Sequence, residues 1–446
     1  MKFHPGHFVA LFGGACAGSE AAFQLANRGI YVAVFDQQAL PYGKIEDGLP
    51  KWHVKLRDKE EAKIDQKLSH PNIFYVPQTK LGRDLQFEDI VQHWGFSAVL
   101  LASGAWRDRP LPVNGADDYL EKGLYYQNPF VEWFNHNHEP DYHHYAYDVA
   151  DGAIVVGGGL ASIDVVKILM LESTVRALAK RGITTNVLKL EHRGIPAALA
   201  EFGVNFSDLG LKGCTLYYRR RNIDMPLSSI PEGADADKLA KAQQVREKIL
   251  TLAREKFCFH FQECCKPVGT IVENSRLNGL VFQKTRIAEG RVQSLPGTEF
   301  EVRSPLVISS IGSIPEPIPG IPSKGELFTI SNEDTGQLDG YEHVFALGNA
   351  VTGRGNIRES ELHSRKVIHH VMDHYLGWVE ADYQRAEADG WDAVNRPNML
   401  SESQVQSLYQ RVEAMQRRVG YDGDYTSWSD RHRPVRLENM LGENGN

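Results

Sequence analysis

Residues 8–18 read FVALFGGACAG, an apolar run followed at once by a glycine-rich turn. Such a run is typical of a strand buried in a parallel sheet. After the turn, residues 19–28 have the pattern of a helix, which Gly29 ends. A second apolar strand, residues 30–35, leads into Asp36. The order strand, turn, helix, strand and acid predicts a dinucleotide-binding unit.

Each part of this unit has a physical reason. Backbone N–H groups of the turn and of the helix N-terminus can face a pyrophosphate, and small residues let it approach closely. Asp36 stands where a carboxylate accepts hydrogen bonds from a ribose diol. Ala15 replaces the middle glycine of the usual G-x-G-x-x-G pattern and adds a methyl group near the phosphate. The alternative is a turn that binds nothing, which the complete order of elements disfavours. The candidate cofactor contacts here are Gly13, Ala15, Cys16, Ala17, Gly18 and Asp36.

A second unit of the same kind follows. The apolar residues 153–156 precede the turn GGGLAS at 157–162 and an apolar-periodic helix. A later strand, residues 215–218, ends not in an acid but in the arginines 219–221. Guanidinium groups bind a 2′-phosphate bidentately, whereas a carboxylate would repel it. The alternative for an arginine run is a solvated surface, but its place after this strand favours NADPH. The candidate contacts are Gly157, Gly159, Leu160, Ala161, Arg219 and Arg220.

The two units differ at the end of the second strand, so they suit different dinucleotides. The first fits an unphosphorylated adenosine ribose and the second a phosphorylated one, which indicates FAD and NADPH. The long segment 172–212 between helix and strand predicts an additional helical excursion.

Composition excludes several classes of protein. A formal net charge of −8 argues against general nucleic-acid binding. We expect no membrane span, because the early apolar run at 8–12 is far shorter than the roughly 18 residues a span needs. We also expect no signal peptide, because the glycine turn comes so soon after Met1. Five cysteines without a C-x-x-C pair fit a reducing cytoplasm.

Further segments of the chain carry a more specific signal. They are PYG at 41–43, GLPKWHVK at 48–55, GRD at 82–84, VLLASGA at 99–105, FVEWFN at 130–135, YRR at 218–220 with MP at 225–226, VISSIG at 307–312 and VFALGNAVTG at 344–353. In this order, they resemble the adrenodoxin reductase family and its relative, the small (β) subunit of bacterial glutamate synthase. The resemblance runs from about residue 6 to about residue 375.

The resemblance implies an α/β fold with two Rossmann-like, three-layer dinucleotide-binding domains, the NADPH domain being inserted into the FAD domain. The expected FAD domain is discontinuous, with residues 1–145 and 300–376, and the expected NADPH domain spans 146–299. Residues 377–446 form a C-terminal helical extension. In it, residues 401–418 have an amphipathic helical pattern that opens with a capping box of Ser401 and Gln404. From residue 421 onward, the sequence reads as irregular.

The resemblance also implies site residues. Trp52 and His53 fall where the family places residues beside the flavin, although an ordinary half-buried aromatic pair is an equal alternative. At Asn349 or beside it, the family usually has an acid or a Trp, and at the position of Leu160 it usually has an Asn. The further implied FAD contacts are Gly43, Ala102, Gly104, Gly348, Asn349, Gly355, Asn356 and Ile357.

The implied activity is transfer of hydride from NADPH to FAD and of electrons to an external acceptor, with a ferredoxin-like iron–sulfur protein as the leading candidate. Lys51, Lys55, Arg57 and Lys59 form the one evident basic cluster near the flavin segment. Two alternatives remain open, an electron-input subunit of a larger complex and a diaphorase or quinone reductase with a small acceptor. The sequence also leaves open a homodimer, and whether the C-terminal extension covers the flavin, forms that dimer or touches the acceptor.

Two histidine-rich stretches could supply metal ligands. Residues 135–147 hold several histidines and an acid, and His370 and His374 stand four apart on an expected helix. The first is better explained as a polar hinge and the second as a solvated helix face, so we expect no metal.

Overall fold

The computed structural model describes residues 3–228, 230, 233–332, 334–353 and 356–442. The strands are β1 (Phe8–Phe12), β2 (Tyr31–Phe35), β3 (Ile73–Val76), β4 (Ala98–Leu101), β5 (Arg107–Asp108), β6 (Leu124–Tyr126), β7 (Ile154–Gly157), β8 (Thr215–Tyr217), β9 (His260–Gln262), β10 (Cys265–Glu273), β11 (Arg276–Ala288), β12 (Arg291–Ser294), β13 (Phe300–Arg303), β14 (Val307–Ser310), β15 (Ser313–Ile314), β16 (Ser323–Lys324), β17 (Leu327–Phe328), β18 (Ile330–Asn332), β19 (Gln337–Leu338) and β20 (Val344–Ala346). The helices are α1 (Cys16–Ala26), α2 (Val54–Leu68), α3 (Phe87–Asp89), α4 (Gln127–His136), α5 (Leu160–Ala179), α6 (Val187–Arg193), α7 (Ile195–Ala200), α8 (Ala236–Phe257), α9 (Asn349–Thr352), α10 (Ile357–His370), α11 (Glu380–Asp389), α12 (Glu402–Arg418), α13 (Tyr425–His432) and α14 (Leu437–Met440).

The first sheet has the order β18-β19-β20-β4-β1-β2-β3. Its strands from β20 to β3 run parallel, while β18 and β19 form an antiparallel edge. Phe12 is in register with both Phe35 and Leu101, so the three strand ends lie side by side. The carboxyl ends of parallel strands share one edge of a sheet. The first glycine turn, Asp36 and the residues after β4 therefore meet there.

The second sheet is entirely parallel, with the order β6-β14-β7-β8-β9. One face packs against helices that include α4, α5 and α8 through a large apolar cluster. The other face packs against the antiparallel sheet of β10 to β13 through a smaller cluster centred on Phe282. Helices, parallel sheet and antiparallel sheet make three layers, and the α/β class with two dinucleotide-type units is confirmed.

The chain passes between the two units twice. It leaves the first sheet after β4 and returns to it with β18, and the two crossings pair as the short antiparallel strands β5 and β15. Strands β6 and β14 lie in the second sheet, although the expected limits at 145 and 300 assign them to the FAD domain. We therefore propose that the inserted unit is bounded by β5 and β15.

The C-terminal segment covers both faces of the first unit. Val405, Leu408 and Val412 of α12 are buried on one face of the first sheet, and Tyr421, Tyr425 and Trp428 join the cluster on the other. The Ser401 side chain caps α12 and forms a capping box with Gln404. The stretch from residue 421, expected to be irregular, contains α13 and α14 instead. Over the residues that the structure describes, no helix is both long and apolar enough to cross a membrane.

Candidate functional site

The first glycine turn is shaped by close backbone contacts. Gly13 has a φ of +98°, and a Cβ there would lie 2.4 Å from the Ala102 carbonyl oxygen. A Cβ on Gly18 would lie 1.7 Å from the Gly13 carbonyl oxygen. Only glycine fits at these two positions, because any side chain would force the turn away from α1 or β4.

Helix α1 begins at Cys16, directly after the turn. Its N-cap residue, Ala15, provides no side-chain hydrogen bond, and the first turn carries no acidic residue. The first backbone N–H groups of a helix need an acceptor that the helix itself cannot supply. Partial positive charge also gathers at this end, so the N-terminus of α1 suits a phosphate.

Asp36 closes the turn from the neighbouring strand. Its Oδ2 accepts a hydrogen bond from the Gly14 N–H at 2.7 Å, and its Oδ1 accepts one from Gln38 N–H at 2.9 Å. Burial raises the pKa of Asp36 to about 6, so the carboxylate is mostly ionised at pH 7. It stands at the edge of the turn, where a ribose diol would need an acceptor.

The motif that ends the first sheet packs against the same helix. Gly348 has a φ of +62°, and a Cβ there would lie 2.8 Å from the Ala17 Cβ. The Ser364 hydroxyl of α10 donates to the Ala17 carbonyl at 2.7 Å. Asn349 Oδ1 is buried and has no hydrogen-bond partner among the described residues. A buried polar atom without a partner is costly, and a hydroxyl of a bound cofactor would satisfy it.

The loop after this motif is described only in part. The Asn356 side chain accepts a hydrogen bond from Glu359 N–H at 2.8 Å and so caps α10, which begins at Ile357. Gly355, an expected FAD contact, lies outside the described residues. Backbone contacts from Asn356 and Ile357 to a flavin stay a prediction.

A groove of about 350 Å³ opens at this edge of the first sheet. Its walls come from the residues after β2, from the segment 41–51 and from the connection between β4 and β5. They include Gln38, Lys44, Asp47, Gly48 and Trp106. Gly43, at a φ of +54°, brings this segment onto the first turn, because a Cβ there would lie 3.0 Å from the Ala15 Cβ. Gly104 has a φ of +69° and lies near Trp106.

Lys44 reaches from this segment to the chain crossings. Its Nζ donates to Asn128 Oδ1 at 3.0 Å and to Ser313 Oγ at 2.9 Å. Burial lowers its pKa to about 8, against the opposing effect of Asp108. No sequence pattern predicts this cluster of Lys44, Asn128 and Ser313, because no spacing along the chain connects the three positions.

The second glycine turn is equally tight at its start. A Cβ on Gly157 would lie 2.4 Å from the Ser310 carbonyl oxygen, and one on Gly158 would lie 2.1 Å from the Tyr218 ring. Gly159 has no described atom within 4 Å of its Cβ position. The turn is therefore closed on the protein side and open where a phosphate would approach.

Helix α5 starts at this open side. Its N-cap, Gly159, has no side chain, and the first turn contains no acid. Ser162 donates its hydroxyl to the Gly159 carbonyl at 2.6 Å, which holds the turn next to Ala161. Leu160 is 54% exposed, unusual for a leucine. These features fit a ligand-binding helix N-terminus like that of α1.

The three arginines after β8 have different surroundings. Arg221 makes two hydrogen bonds to Asp224, each of 3.0 Å, while Arg220 Nε lies 3.8 Å from the same carboxylate. Within the described residues, the exposed Arg219 guanidinium has no ion pair. Thr285 fixes its backbone by donating to the Arg219 carbonyl at 2.9 Å. Arg219 and Arg220 are therefore the more available for a phosphate, and the adjoining Tyr218 ring touches the glycine turn.

Trp52 and His53 lie where the two units meet. The Trp52 ring is 5.4 Å from the Phe134 ring, and Lys167 Nζ of α5 is 4.3 Å from the Trp52 ring centre. His53 Nε2 is 3.9 Å from Asp164 Oδ1, also on α5. Both residues thus reach the helix that begins at the second glycine turn. Their contact with a flavin stays a prediction.

Helix α4 holds the segment 41–51 from the side of the inserted unit. Asn135 Nδ2 donates to the carbonyls of Glu46 and Leu49, at 2.8 and 2.9 Å. His136 lies between Asp47, at 3.2 Å, and Glu139, at 2.6 Å. Burial alone would lower the pKa of His136, but the two carboxylates raise it to about 10. The histidine-rich stretch is thus an anchor, and among the described residues no group of three or more His, Cys, Asp or Glu side chains could hold a metal.

The prediction of a basic surface patch near this segment is wrong for two of its four residues. Lys51 is 3% exposed and donates to Asn137 Oδ1 at 3.1 Å, and Arg57 is 2% exposed and pairs with Glu46. Helical periodicity turns Arg57 inward, while Lys55 and Lys59 face out. Half of the cluster is therefore structural.

Curated proteins give a consistent picture of what this chain resembles. It is 23% identical over 444 residues to the NADPH-ferredoxin reductase FprA of Mycobacterium leprae, covering 92% of this chain and 93% of that protein. It is 25% identical over 350 residues to the mitochondrial NADPH:adrenodoxin oxidoreductase of Arabidopsis thaliana, covering 70% and 69%. The small chain of NADPH glutamate synthase from Mycobacterium tuberculosis is 30% identical over 171 residues, covering 36% and 32%. No protein-family model matches the chain.

Among solved structures, FprA of Mycobacterium tuberculosis in complex with NADPH superposes with a TM-score of 0.66 at 18% identity, covering 92% of this chain and 91% of that one. This likeness confirms the fold. The predicted resemblance to adrenodoxin reductase and the glutamate synthase small subunit is confirmed as well. The match to FprA of Mycobacterium leprae extends into the C-terminal segment that the motifs did not reach.

Proposed function

We propose that this protein is an FAD-dependent oxidoreductase that takes hydride from NADPH and passes electrons to an external acceptor. The observation that carries the proposal is the pairing of two glycine turns with opposite strand-end chemistry, Asp36 at the first and the exposed Arg219 at the second. The names of the relatives, NADPH-dependent reductases along most of the chain, agree with it.

The residues present fit both cofactors. FAD would be held by the N-terminus of α1, by Asp36 and by the unpartnered Asn349 Oδ1. NADPH would be held by the N-terminus of α5, by Arg219 and by Arg220. When bound, a flavin supplies the step from two-electron hydride chemistry to the single electrons that an iron–sulfur acceptor takes.

The chain's own residues bind and align, and no general base is required. The closed side of each glycine turn fixes the helix N-terminus at the strand edge, and the second turn is open at Gly159. Lys44 places a buried amino group beside the groove, held by Asn128 and Ser313. Burial lowers its pKa to about 8, so this amino group loses its charge at a lower pH than an exposed lysine does.

We propose a ferredoxin-like iron–sulfur protein as the acceptor, working with this enzyme in the cytoplasm. Two relatives that match most of the chain support it by name, one a ferredoxin reductase and one an adrenodoxin oxidoreductase. The glutamate synthase small chain keeps the electron-input subunit as a second candidate. A homodimer and a small-molecule acceptor stay proposals that the structure does not favour.

The acceptor is tested by steady-state turnover with NADPH and a panel of acceptors. Ferredoxin should be reduced much faster than a quinone or a dye, and the rate should fall as salt rises, because salt screens the attraction between charged proteins. Fast quinone reduction without salt dependence would favour the diaphorase alternative. Turnover only after a larger subunit is added would favour the electron-input subunit.

A further inference from the structure

The segment from residue 421 to residue 442, here called the C-terminal strap, lies along the segment 41–51 and along α2. Trp428 Nε1 donates to the Ala39 carbonyl at 2.8 Å. Tyr425 donates to Asp65 Oδ1 at 2.7 Å, and Arg433 pairs with Asp65 Oδ2 at 3.0 Å. Asp65 also accepts a hydrogen bond from Tyr42. The strap is therefore bonded to Ala39, just before the segment 41–51, and to α2, which follows that segment.

Arg436 makes a further buried contact between the strap and α2. Its side chain is 12% exposed, and its Nη2 donates to both carboxylate oxygens of Glu61 at 2.7 Å. The same nitrogen lies 3.0 Å from Glu46 Oε2. Glu46 also pairs with Arg57, so two arginines and two glutamates form one buried group.

Removal of any one of these four side chains would leave a charge in the buried group uncompensated. Breaking a buried ion pair by removing one partner leaves a charge that water no longer solvates. Without Arg436, Glu61 would lose the ion pair described for it, and Glu46 would keep only its pair with Arg57. Residue 46 or α2 would then have to move, or a glutamate would have to take up a proton.

Glu46 connects the group to the groove. Its carbonyl is held by Asn135 from α4, and its neighbour Asp47 lines the groove and pairs with His136. The segment is thus fixed from the inserted unit on one side and from the strap on the other. A shift of Glu46 would carry Asp47 and Gly48 with it.

We infer that Arg436 is a positioning residue for the flavin, through its grip on Glu46 and Glu61, and that the C-terminal strap is part of the cofactor site and not only of the fold. The inference rests on the proposed function. A strap with a purely structural role would change stability but would leave the bound flavin and its reduction unchanged.

The test compares Arg436→Ala with Arg431→Ala in the full-length protein. Arg431 lies in the same strap, where it contacts Ser427, Asp422 and the Trp428 ring, and among the described residues it makes no ion pair with the segment 41–51 or with α2, so it is a matched control. Folding is checked by circular dichroism, FAD is added to saturation, and the flavin absorption band and its bleaching by NADPH are recorded. We expect Arg436→Ala to weaken FAD binding about tenfold and to shift the flavin band. We also expect it to slow bleaching about tenfold at saturating FAD, while Arg431→Ala matches the wild type.

Two further variants keep the test decisive. Arg436→Lys retains the charge on a smaller donor group and should recover part of each loss. If Arg436→Ala does not fold, Glu61→Gln removes one anchor and should shift the flavin band in the same direction by less. An unshifted band and unchanged bleaching in folded Arg436→Ala, or in Glu61→Gln, would overturn the inference alone. A wild type that holds no flavin would overturn the proposed function and this inference with it.

Discussion

At the scale of single residues, the two glycine turns divide positions that serve the fold from positions that face a ligand. A Cβ at Gly18 or Gly157 would collide with a backbone carbonyl, whereas Gly159 faces no described atom. The first turn already carries a methyl group at the corresponding place, in Ala15. A ligand role can therefore be tested separately from a structural one.

Gly159→Ala should leave the melting temperature of the apoprotein within about a degree of the wild type, because the new methyl group meets no protein atom. The same methyl group would crowd a pyrophosphate at the N-terminus of α5. We expect NADPH binding to weaken several-fold in titration calorimetry. A variant with lower stability but normal NADPH affinity would show that the position serves only the fold.

The double variant Arg219→Ala/Arg220→Ala should weaken NADPH binding by about 10- to 100-fold and leave NADH binding nearly unchanged, because only NADPH carries the 2′-phosphate. Arg221→Ala is the control, since Arg221 is already bonded to Asp224. Dissociation constants for both nucleotides decide the matter. An equal loss for NADPH and NADH would contradict the assignment.

The residues of the glycine turns and of the strand ends could be predicted from the sequence, because their roles are local. A glycine turn between a strand and a helix, and a charged group at the end of the next strand, are read from consecutive positions. Lys44, Asn128 and Ser313 could not be found in this way, because only the folded chain crossings bring them within 3.0 Å. Arg57 was predicted to belong to an exposed basic cluster, because a charged residue in the sequence does not show which side of the helix its side chain occupies.

At the scale of elements, α4 and the strap matter most, because both hold the segment that lines the groove. The α12 helix and its capping box follow from periodicity and from Ser401. The α13 and α14 helices were missed, because both are short and their apolar residues are few: Tyr425 and Trp428 of α13 are buried against the first unit, and Leu437 of α14 packs against the cluster of the second. Strands β6 and β14 are short, and pairing across the inserted unit decides which sheet they join.

The contact of α4 with Asp47 predicts a pH dependence. The pKa of His136 in the folded protein is raised to about 10, above its ordinary value of about 6.5. The stabilisation it contributes is therefore fully present below about pH 6.5 and is lost as the pH rises toward 10. We expect His136→Gln to lower the free energy of unfolding by on the order of 2–4 kcal/mol at pH 6 and by much less at pH 10.

Urea unfolding of the wild type and the variant across this pH range measures the difference. His93→Gln is the control, because His93 is an exposed histidine 3.3 Å from Asp89. If the difference in the free energy of unfolding between wild type and His136→Gln stays constant from pH 6 to pH 10, the two carboxylates do not keep the imidazole protonated.

At the scale of the whole molecule, the chain forms two units with separate parallel sheets, joined by the β5–β15 pair. Trp52 and His53, from the first unit, reach α5 of the second. Two dinucleotide sites of different preference in one chain are what a hydride transfer from NADPH to FAD requires.

The central claim is tested most directly by anaerobic stopped-flow absorbance of the protein loaded with FAD and mixed with NADPH, then with NADH. The account predicts rapid loss of the oxidised flavin band with NADPH and much slower loss with NADH. No flavin band after FAD is added, or equal rates with the two nucleotides, would contradict it.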